Sequence, residues 1–316
     1  MSRFGLQLPN FTFGGPDSEL FSRVVELARA GEESGFSSIW VMDHLFQLPA
    51  LGGADQPMLE AYTLLGALAA STSTAELGTL VTGVTYRNPA LVAKIITTLD
   101  IISGGRAVLG IGAAWHDVEH VAFGYDFPPA GERLDRLEEA VQICRAMFTE
   151  EAPSFDGRYY RVERVRNLPR PIRPGGPPIM IGGGGERRTL RLVAQYADRC
   201  NVSGDLDTVR HKLAVLRDHC ADVGRDPASI TNTRLGSLFL APSAEAAEET
   251  RQMITGVAGA DFVASATIGT ADDVTEQVAA ILHAGIDEPI FNLPYADAAT
   301  VRQVGELLTE RFPAPV

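Results

Sequence analysis

Cysteine is scarce: Cys144, Cys200 and Cys220 are the only three in 316 residues, with no Cys-x-x-Cys pair. An odd number spread over a long chain argues against a disulfide framework. Reduced, structural thiols in a cytoplasmic protein are expected instead. No run of about 18 apolar residues occurs, so no membrane span is expected. The N-terminus enters the strand-like Phe4-Gly5-Leu6-Gln7-Leu8 without a charged leader or cleavage site, and a signal peptide is not expected. Positive charge is also in deficit, 27 basic against 40 acidic residues for a net −13. That balance repels phosphate backbones. The densest basic patch, Arg161, Arg164, Arg166, Arg170 and Arg173, is broken by Glu163 and by prolines, so no nucleic-acid partner is expected. The Gly-x-Ser-x-Gly nucleophile elbow is absent, and no Gly-Lys-Ser/Thr follows the glycine run, so it is not a Walker loop.

What is present is hydrophobic mass, 45% of the chain, enough for a sizeable core. Short β-rich runs alternate with longer amphipathic ones. Eight strands are predicted at Phe4–Leu8, Ser38–Met42, Leu77–Val81, Ala107–Ile111, Ile179–Ile181, Arg199–Val202, Leu235–Ala241 and Pro289–Leu293. Helices with a period near 3.6 fall between them. Leu20, Val24, Leu27 and Ala28 share one face. Asn88-Pro89 caps a helix that Gly104 closes, with Leu91, Ile95, Leu99 and Ile102 as its buried stripe. Leu134, Leu137, Val141 and Phe148 repeat on the next, leaving Arg133, Arg136 and Glu138 to water. With no polar linker to divide it, the pattern favours one domain over 1–316, a closed (β/α)8 barrel, with a doubly wound sheet as competitor. Leu45–Pro57 and Gly112–Gly131 are long insertions that would emerge at the C-terminal mouth, where such barrels build their sites. Ser154–Gly176 is a third long stretch, with a hairpin-like start.

Four constellations carry chemistry. Asp43-His44 stands at the end of the second strand, where an imidazole can polarise a carbonyl or shuttle a proton; a loop histidine satisfied by backbone is the alternative. Gly182-Gly183-Gly184-Gly185 follows the fifth strand and opens a helix, a place for an anion or phosphate, with Arg187 and Arg188 nearby. Gly110-Ile111-Gly112-Ala113-Ala114-Trp115 has two glycines of the dinucleotide fingerprint, and reads better as backbone brought close to a planar ring. His116-Asp117-Val118-Glu119-His120 matches the inverted zinc-peptidase pattern, in which Glu119 would activate water. No third ligand follows at a recognisable spacing, and no metal is expected. A zinc hydrolase and a non-catalytic ligand-binding barrel are therefore the readings outside redox chemistry.

The order and spacing of Trp40-Val41-Met42-Asp43-His44, Leu59-Glu60-Ala61-Tyr62, Gly78 through Pro89, Leu99 through Arg106, Gly110 through Trp115 and Ile181 through Gly185 resemble the luciferase-like monooxygenase superfamily over nearly the whole chain. The resemblance is strongest to its branch dependent on coenzyme F-420. It implies a TIM barrel that passes a hydride between this 8-hydroxy-5-deazaflavin and a small organic substrate. The alternative is an FMN monooxygenase using reduced flavin and oxygen. It further implies that Asp43 and His44 contact the ring, His44 nearest the reacting centre; that Thr79, Leu80 and Val81 back it, with a non-prolyl cis peptide at about Leu80–Val81; that Ala113 and Ala114 flank its other side; and that Gly183, Gly184 and Gly185 receive the phosphate. Trp115 and His116 would shape the substrate pocket, and a homodimer is implied. Sugar-phosphate dehydrogenases of the family place a glutamate just after the fourth-strand glycines, where this chain has Trp115. That puts sugar-phosphate oxidation in doubt and leaves Glu60, as a partner of His44, and Glu119 as candidate acids. The substrate and the direction of transfer are not written in the sequence.

Overall fold

The computed structural model describes residues 3–313. Eight parallel strands close on themselves: β1 (Gly5–Leu8), β2 (Ser38–Val41), β3 (Glu76–Thr79), β4 (Ala107–Gly112), β5 (Ile179–Gly182), β6 (Arg199–Val202), β7 (Thr231–Leu240) and β8 (Glu288–Asn292), with β8 pairing back onto β1. This is a (β/α)8 barrel. All eight predicted strands are present, but β7 begins at Thr231 rather than Leu235. Its first half is polar yet partnered inside the barrel, with Thr233 Oγ1 donating to Cys200 O at 3.0 Å. Its second half pairs with the short Thr267–Gly269 strand.

The helices are α1 (Leu20–Glu33), α2 (Ala61–Ser71), α3 (Pro89–Ser103), α4 (Asp117–Phe123), α5 (Ala130–Thr149), α6 (Thr189–Tyr196), α7 (Leu206–Asp222), α8 (Ala244–Ala258), α9 (Ala260–Ser265), α10 (Ala271–His283) and α11 (Ala298–Arg311). The cap of α3 forms as its sequence predicts: Asn88 Oδ1 accepts from Ala90 N, Pro89 opens the helix and Gly104 ends it left-handed. Its buried stripe differs. Val92, Ile96 and Leu99 face the strands, whereas Leu91 and Ile102 are exposed. The helix is apolar on two faces, and the predicted stripe followed the outer one. The hairpin-like start of the third long stretch is a two-stranded hairpin, Phe155–Asp156 against Arg161–Val162.

Two cores result from strand alternation. Ile39, Val41, Leu77 and Leu109 point outward to the helices, while Trp40, Val108, Met180 and Ile290 fill the barrel. Trp40 fits because Gly78 lacks a side chain: a Cβ there would lie 2.7 Å from the indole. Below this layer, residues at strand starts plug the N-terminal end. Glu76 opens β3, Arg199 opens β6 and Glu288 opens β8. Arg199 Nη2 donates to both oxygens of Glu76 at 2.9 and 2.8 Å, Arg173 Nη2 adds a bond of 3.0 Å, and Arg3 completes the cluster.

Burial pushes the Glu76 carboxyl up, but Arg199 and Arg3 outweigh it and hold it at about 2, against an ordinary 4.5. A depressed carboxyl stabilises the fold fully above the unfolded value and loses that contribution as pH falls from about 4.5 towards 2. The size of the shift corresponds to about 3 kcal/mol. Urea unfolding of Glu76→Gln is therefore expected to show its largest deficit at neutral pH, narrowing on acidification. A deficit of the same size at pH 3 and pH 7 would mean the cluster does not act through charge.

Candidate active site

The C-terminal mouth gathers β-strand ends and the insertions above them. A cavity of about 400 Å3 is lined there by Asp43 and His44 after β2, Leu80 and Val81 after β3, Gly112 to His116 after β4 and Gly182 to Gly185 after β5. The strand-two imidazole and the tetraglycine turn thus open on one space. The Leu80–Val81 peptide bond is cis. Val81 lies across two bare stretches of backbone: a Cβ at Gly112 would come within 2.8 Å of its Cγ2, and one at Gly182 within 2.8 Å of its Cγ1. The floor is consequently apolar and free of protruding side chains, as a planar ring requires.

His44 is paired with Glu119, not with Glu60. Nδ1 donates to Glu119 Oε1 at 2.8 Å, and the second carboxylate oxygen accepts from Leu45 N at 2.7 Å. Tyr86 Oη donates to Oε1 at 2.5 Å. Glu119 is fully buried. Burial pushes its carboxyl up, but the hydrogen bonds from His44, Tyr86 and Leu45 hold it at about 2. It is therefore a carboxylate, and Nδ1 carries the proton that faces it. Nε2 makes no hydrogen bond among the described residues and is left for the cavity. Trp115 packs edge-on to the imidazole at 5.6 Å between centroids, and His116 flanks it at 5.9 Å.

Glu60 lies outside the cavity. It caps α2 by accepting from Thr63 N at 2.7 Å and takes Arg87 Nη2 at 2.7 Å. The expectation that it partners His44 fails because Arg87 stands between it and Asp43. Arg87 holds Asp43 in a fork of 2.7 and 3.0 Å, and Gly83 N donates to the same carboxylate at 3.0 Å. Burial alone would lower the Arg87 guanidinium; the Asp43 charge and hydrogen bonds raise it well above its ordinary value. Thr79 is also set back from the cavity, fully buried and bonded to Thr82 Oγ1 at 2.6 Å and Gly110 O at 3.0 Å. It supports the floor from beneath.

The Gly112–Gly131 insertion carries a helix, α4, that brings Glu119 back to His44. The zinc-peptidase pattern is used for other bonds. His120 Nε2 meets Thr85 Oγ1 at 2.6 Å and Nδ1 meets His116 O at 2.7 Å, so neither ring nitrogen is free. Among the described residues no group of three or more His, Cys, Asp or Glu is disposed to hold a metal. Arg133, expected to face water, instead donates to Ala113 O at 2.9 Å and fixes the loop of Ala113 and Ala114, the latter at a left-handed φ of 57°.

At the far end of the cavity Gly183 takes φ +128°, which favours glycine, and donates its N–H to Asn201 O at 3.1 Å. The amides of Gly184 and Gly185 have no protein acceptor among the described residues. The aliphatic stem of Lys212, from α7, lies 3.6 Å from where a Gly184 Cβ would be, and its ammonium pairs with Glu186. Arg187 and Arg188 do not line this space; Arg188 is bound to Asp135 and Gly131 O. Sequence reasoning missed Lys212, Tyr86, Arg87 and Asn201. Tyr86 and Arg87 lie in the Gly78 to Pro89 segment, which carried the resemblance without giving either a role, and Lys212 carries no local signal.

The barrel mouth thus brings a flat apolar floor, an imidazole–carboxylate pair and an open glycine turn together in one cavity. The sequence matches the luciferase-like monooxygenase family over residues 2–266, and the chain belongs to that family. It is 31% identical over 310 residues to an F-420-dependent glucose-6-phosphate dehydrogenase of Nocardia farcinica, covering 87% of this chain and 88% of that one. Among solved structures, the F-420-dependent tetrahydromethanopterin reductase from Methanopyrus kandleri superposes with a TM-score of 0.81 at 18% identity, over 98% of both chains. A monooxygenase from Streptomyces bottropensis superposes with a TM-score of 0.82 at 21% identity, again over 98% of both. At those identities the superpositions speak for the fold.

Proposed function

We propose that this protein is a cytoplasmic oxidoreductase that passes a hydride between coenzyme F-420 and a small organic substrate, with His44 as the proton carrier. The observation that carries this is the shared cavity of His44, backed by the Glu119 carboxylate, and the tetraglycine turn. When bound, the deazaflavin supplies two-electron hydride chemistry. The residues fit it. Val81, over Gly112 and Gly182, offers the face for the ring, Ala113 and Ala114 border it, and the amides of Gly184 and Gly185 with Lys212 suit the anionic tail. His44 Nε2 takes the hydroxyl proton of a substrate being oxidised, or returns one to a substrate being reduced. Glu119 fixes the tautomer and stabilises the imidazolium, while Tyr86 and Leu45 N–H hold Glu119 in place. Trp115 and His116 border the substrate beside this imidazole.

Among the described residues no helix is long and apolar enough to cross a membrane. The three thiols are free and buried, in keeping with the proposed compartment. A homodimer is the proposed assembly.

Parallel titration with F-420 and with FMN at one salt concentration tests the coenzyme, and preferential binding of F-420 is the expected result. Tighter FMN binding would transfer the proposal to a flavin monooxygenase. Lys212→Ala is expected to weaken F-420 about fivefold, the scale of one exposed charge pair, and to leave a phosphate-free deazaflavin unaffected. Equal weakening of both would remove Lys212 from the tail site.

A further inference from the structure

A second cavity, of about 700 Å3, opens beside the first and shares His44, Leu80, Trp115 and Leu235 with it. A molecule seated there therefore reaches the same imidazole from the side of β1, β7 and β8. Its wall is apolar, built from the Leu48–Gly52 segment, Phe239 at the end of β7, and Ile254, Val257 and Phe262 of α8 and α9. Apart from His44 and the phenol of Tyr295, no ionisable side chain lines it. The polar groups it offers are neutral, chiefly the amides of Gln7 and Asn292 and the hydroxyl of Ser237. Asn292 Oδ1 is buried without a hydrogen-bond partner, and its Nδ2 donates to Gln7 Oε1 at 3.4 Å.

The volume falls in the range of about 300–1,000 Å3 that accepts drug-sized ligands. Met253 and Val257 stand 62% and 72% exposed at its rim, and Tyr295 is 56% exposed. Large apolar side chains grouped around a concavity are what a bound lipophilic molecule would cover. Tyr295 is moreover held at φ 59°, a left-handed conformation uncommon for a tyrosine, with its N–H on Asn10 Oδ1 at 3.0 Å. A phosphorylated or carboxylated substrate would meet no arginine or lysine here to offset the loss of its hydration.

We propose that the second cavity is the substrate site and that it takes a neutral, predominantly apolar alcohol or the matching carbonyl compound, rather than a sugar phosphate. This inference rests on the hydride-transfer reading above. In the oxidising direction the carbinol C–H bond breaks and its hydride goes to oxidised F-420. The O–H proton goes to His44 Nε2, and the carbonyl forms. Val257 and Ile254 hold the alkyl chain while Trp115 separates it from the coenzyme cavity.

The test uses butan-2-ol, hexan-2-ol and octan-2-ol, with glucose 6-phosphate alongside. Calorimetry on the coenzyme-free protein reads binding, and loss of F-420 absorbance reads turnover. Dissociation constants are expected to fall about fourfold per added methylene, which is what about 0.8 kcal/mol per buried CH2 amounts to. Glucose 6-phosphate is expected neither to bind nor to reduce the coenzyme. Val257→Lys, at an exposed position, is expected to weaken octan-2-ol at least tenfold without changing F-420 affinity. A flat chain-length series, an unaltered Val257→Lys, or glucose 6-phosphate as the better reductant would overturn the substrate class while F-420 binding still stands. Failure of F-420 to bind at all would instead strike the coenzyme reading, and the alcohol series on the coenzyme-free protein would still decide the cavity.

Discussion

His44→Ala is expected to lower kcat by about 10²–10⁴-fold, the usual contribution of a positioned general acid or base, with coenzyme affinity nearly unchanged. The separation follows from where the contacts lie. In the proposed binding mode Val81 over Gly112 and Gly182 is the floor and the glycine turn is the anion end, so loss of one imidazole leaves both. What disappears is the group whose Nδ1 is anchored by a buried carboxylate and whose Nε2 is free for a substrate proton. Steady-state turnover at saturating coenzyme, paired with fluorescence titration of the deazaflavin, measures both quantities on one preparation. Partial rescue by added imidazole is expected, since the variant leaves a space of that shape. Wild-type turnover in the variant, or a fall in coenzyme affinity as large as the fall in kcat, would remove His44 from proton transfer.

The second large effect is on stability. Arg87→Met is expected to cost about 3–5 kcal/mol, because truncating one partner of a buried ion pair leaves the other charge uncompensated. Asp43 is 4% exposed and, without the guanidinium, keeps only the Gly83 N–H. The sign of the pH dependence follows. An unpaired buried carboxylate is raised in the folded state, so the variant's deficit should shrink as the medium is acidified and the proton is taken up. The double variant Arg87→Met with Asp43→Asn should recover much of the loss, because it removes both charges. Thermal unfolding of the two single variants and the double reads this. Additive losses in the double variant would show that Arg87 and Asp43 act independently.

Strands were legible because each is a short β-rich run bounded by turn residues, and burial on both sides of a parallel barrel leaves that composition plain. The exception is instructive. Thr231 to Arg234 is polar, yet Thr233 is buried against the neighbouring strand and Arg234 is buried on the carbonyls of Gly204 and Ser265, so composition alone hid the first half of β7. The helix α2 was not foreseen. Its sequence, from Ala61 to Ser71, is apolar around much of its circumference because α1, α3 and β3 all pack on it, and no single stripe remains to count. Nor were α8 and α9: only Ala247 and Ile254 of α8 are buried and no residue of α9 is, so neither helix carries a continuous buried stripe.

His44 and the tetraglycine turn could be read as candidates from the chain alone, since a strand end and a helix start are local features and both carry residue types with restricted uses. The partners of His44 could not. Glu60 is near it in sequence, Glu119 is 75 residues away, and only the return of α4 over the barrel mouth decides that the distant one makes the bond. Periodicity and turn chemistry act within a few residues, so the sequence by itself determined the eight strand positions, the helices that carry one apolar stripe and the glycine-rich turns at the strand ends. Which carboxylate meets the imidazole, that Arg87 occupies Asp43, that Lys212 reaches the glycines and that two cavities meet at Trp115 are distances set by closure of β8 onto β1. They belong to the tertiary structure, because no local interaction energy distinguishes them.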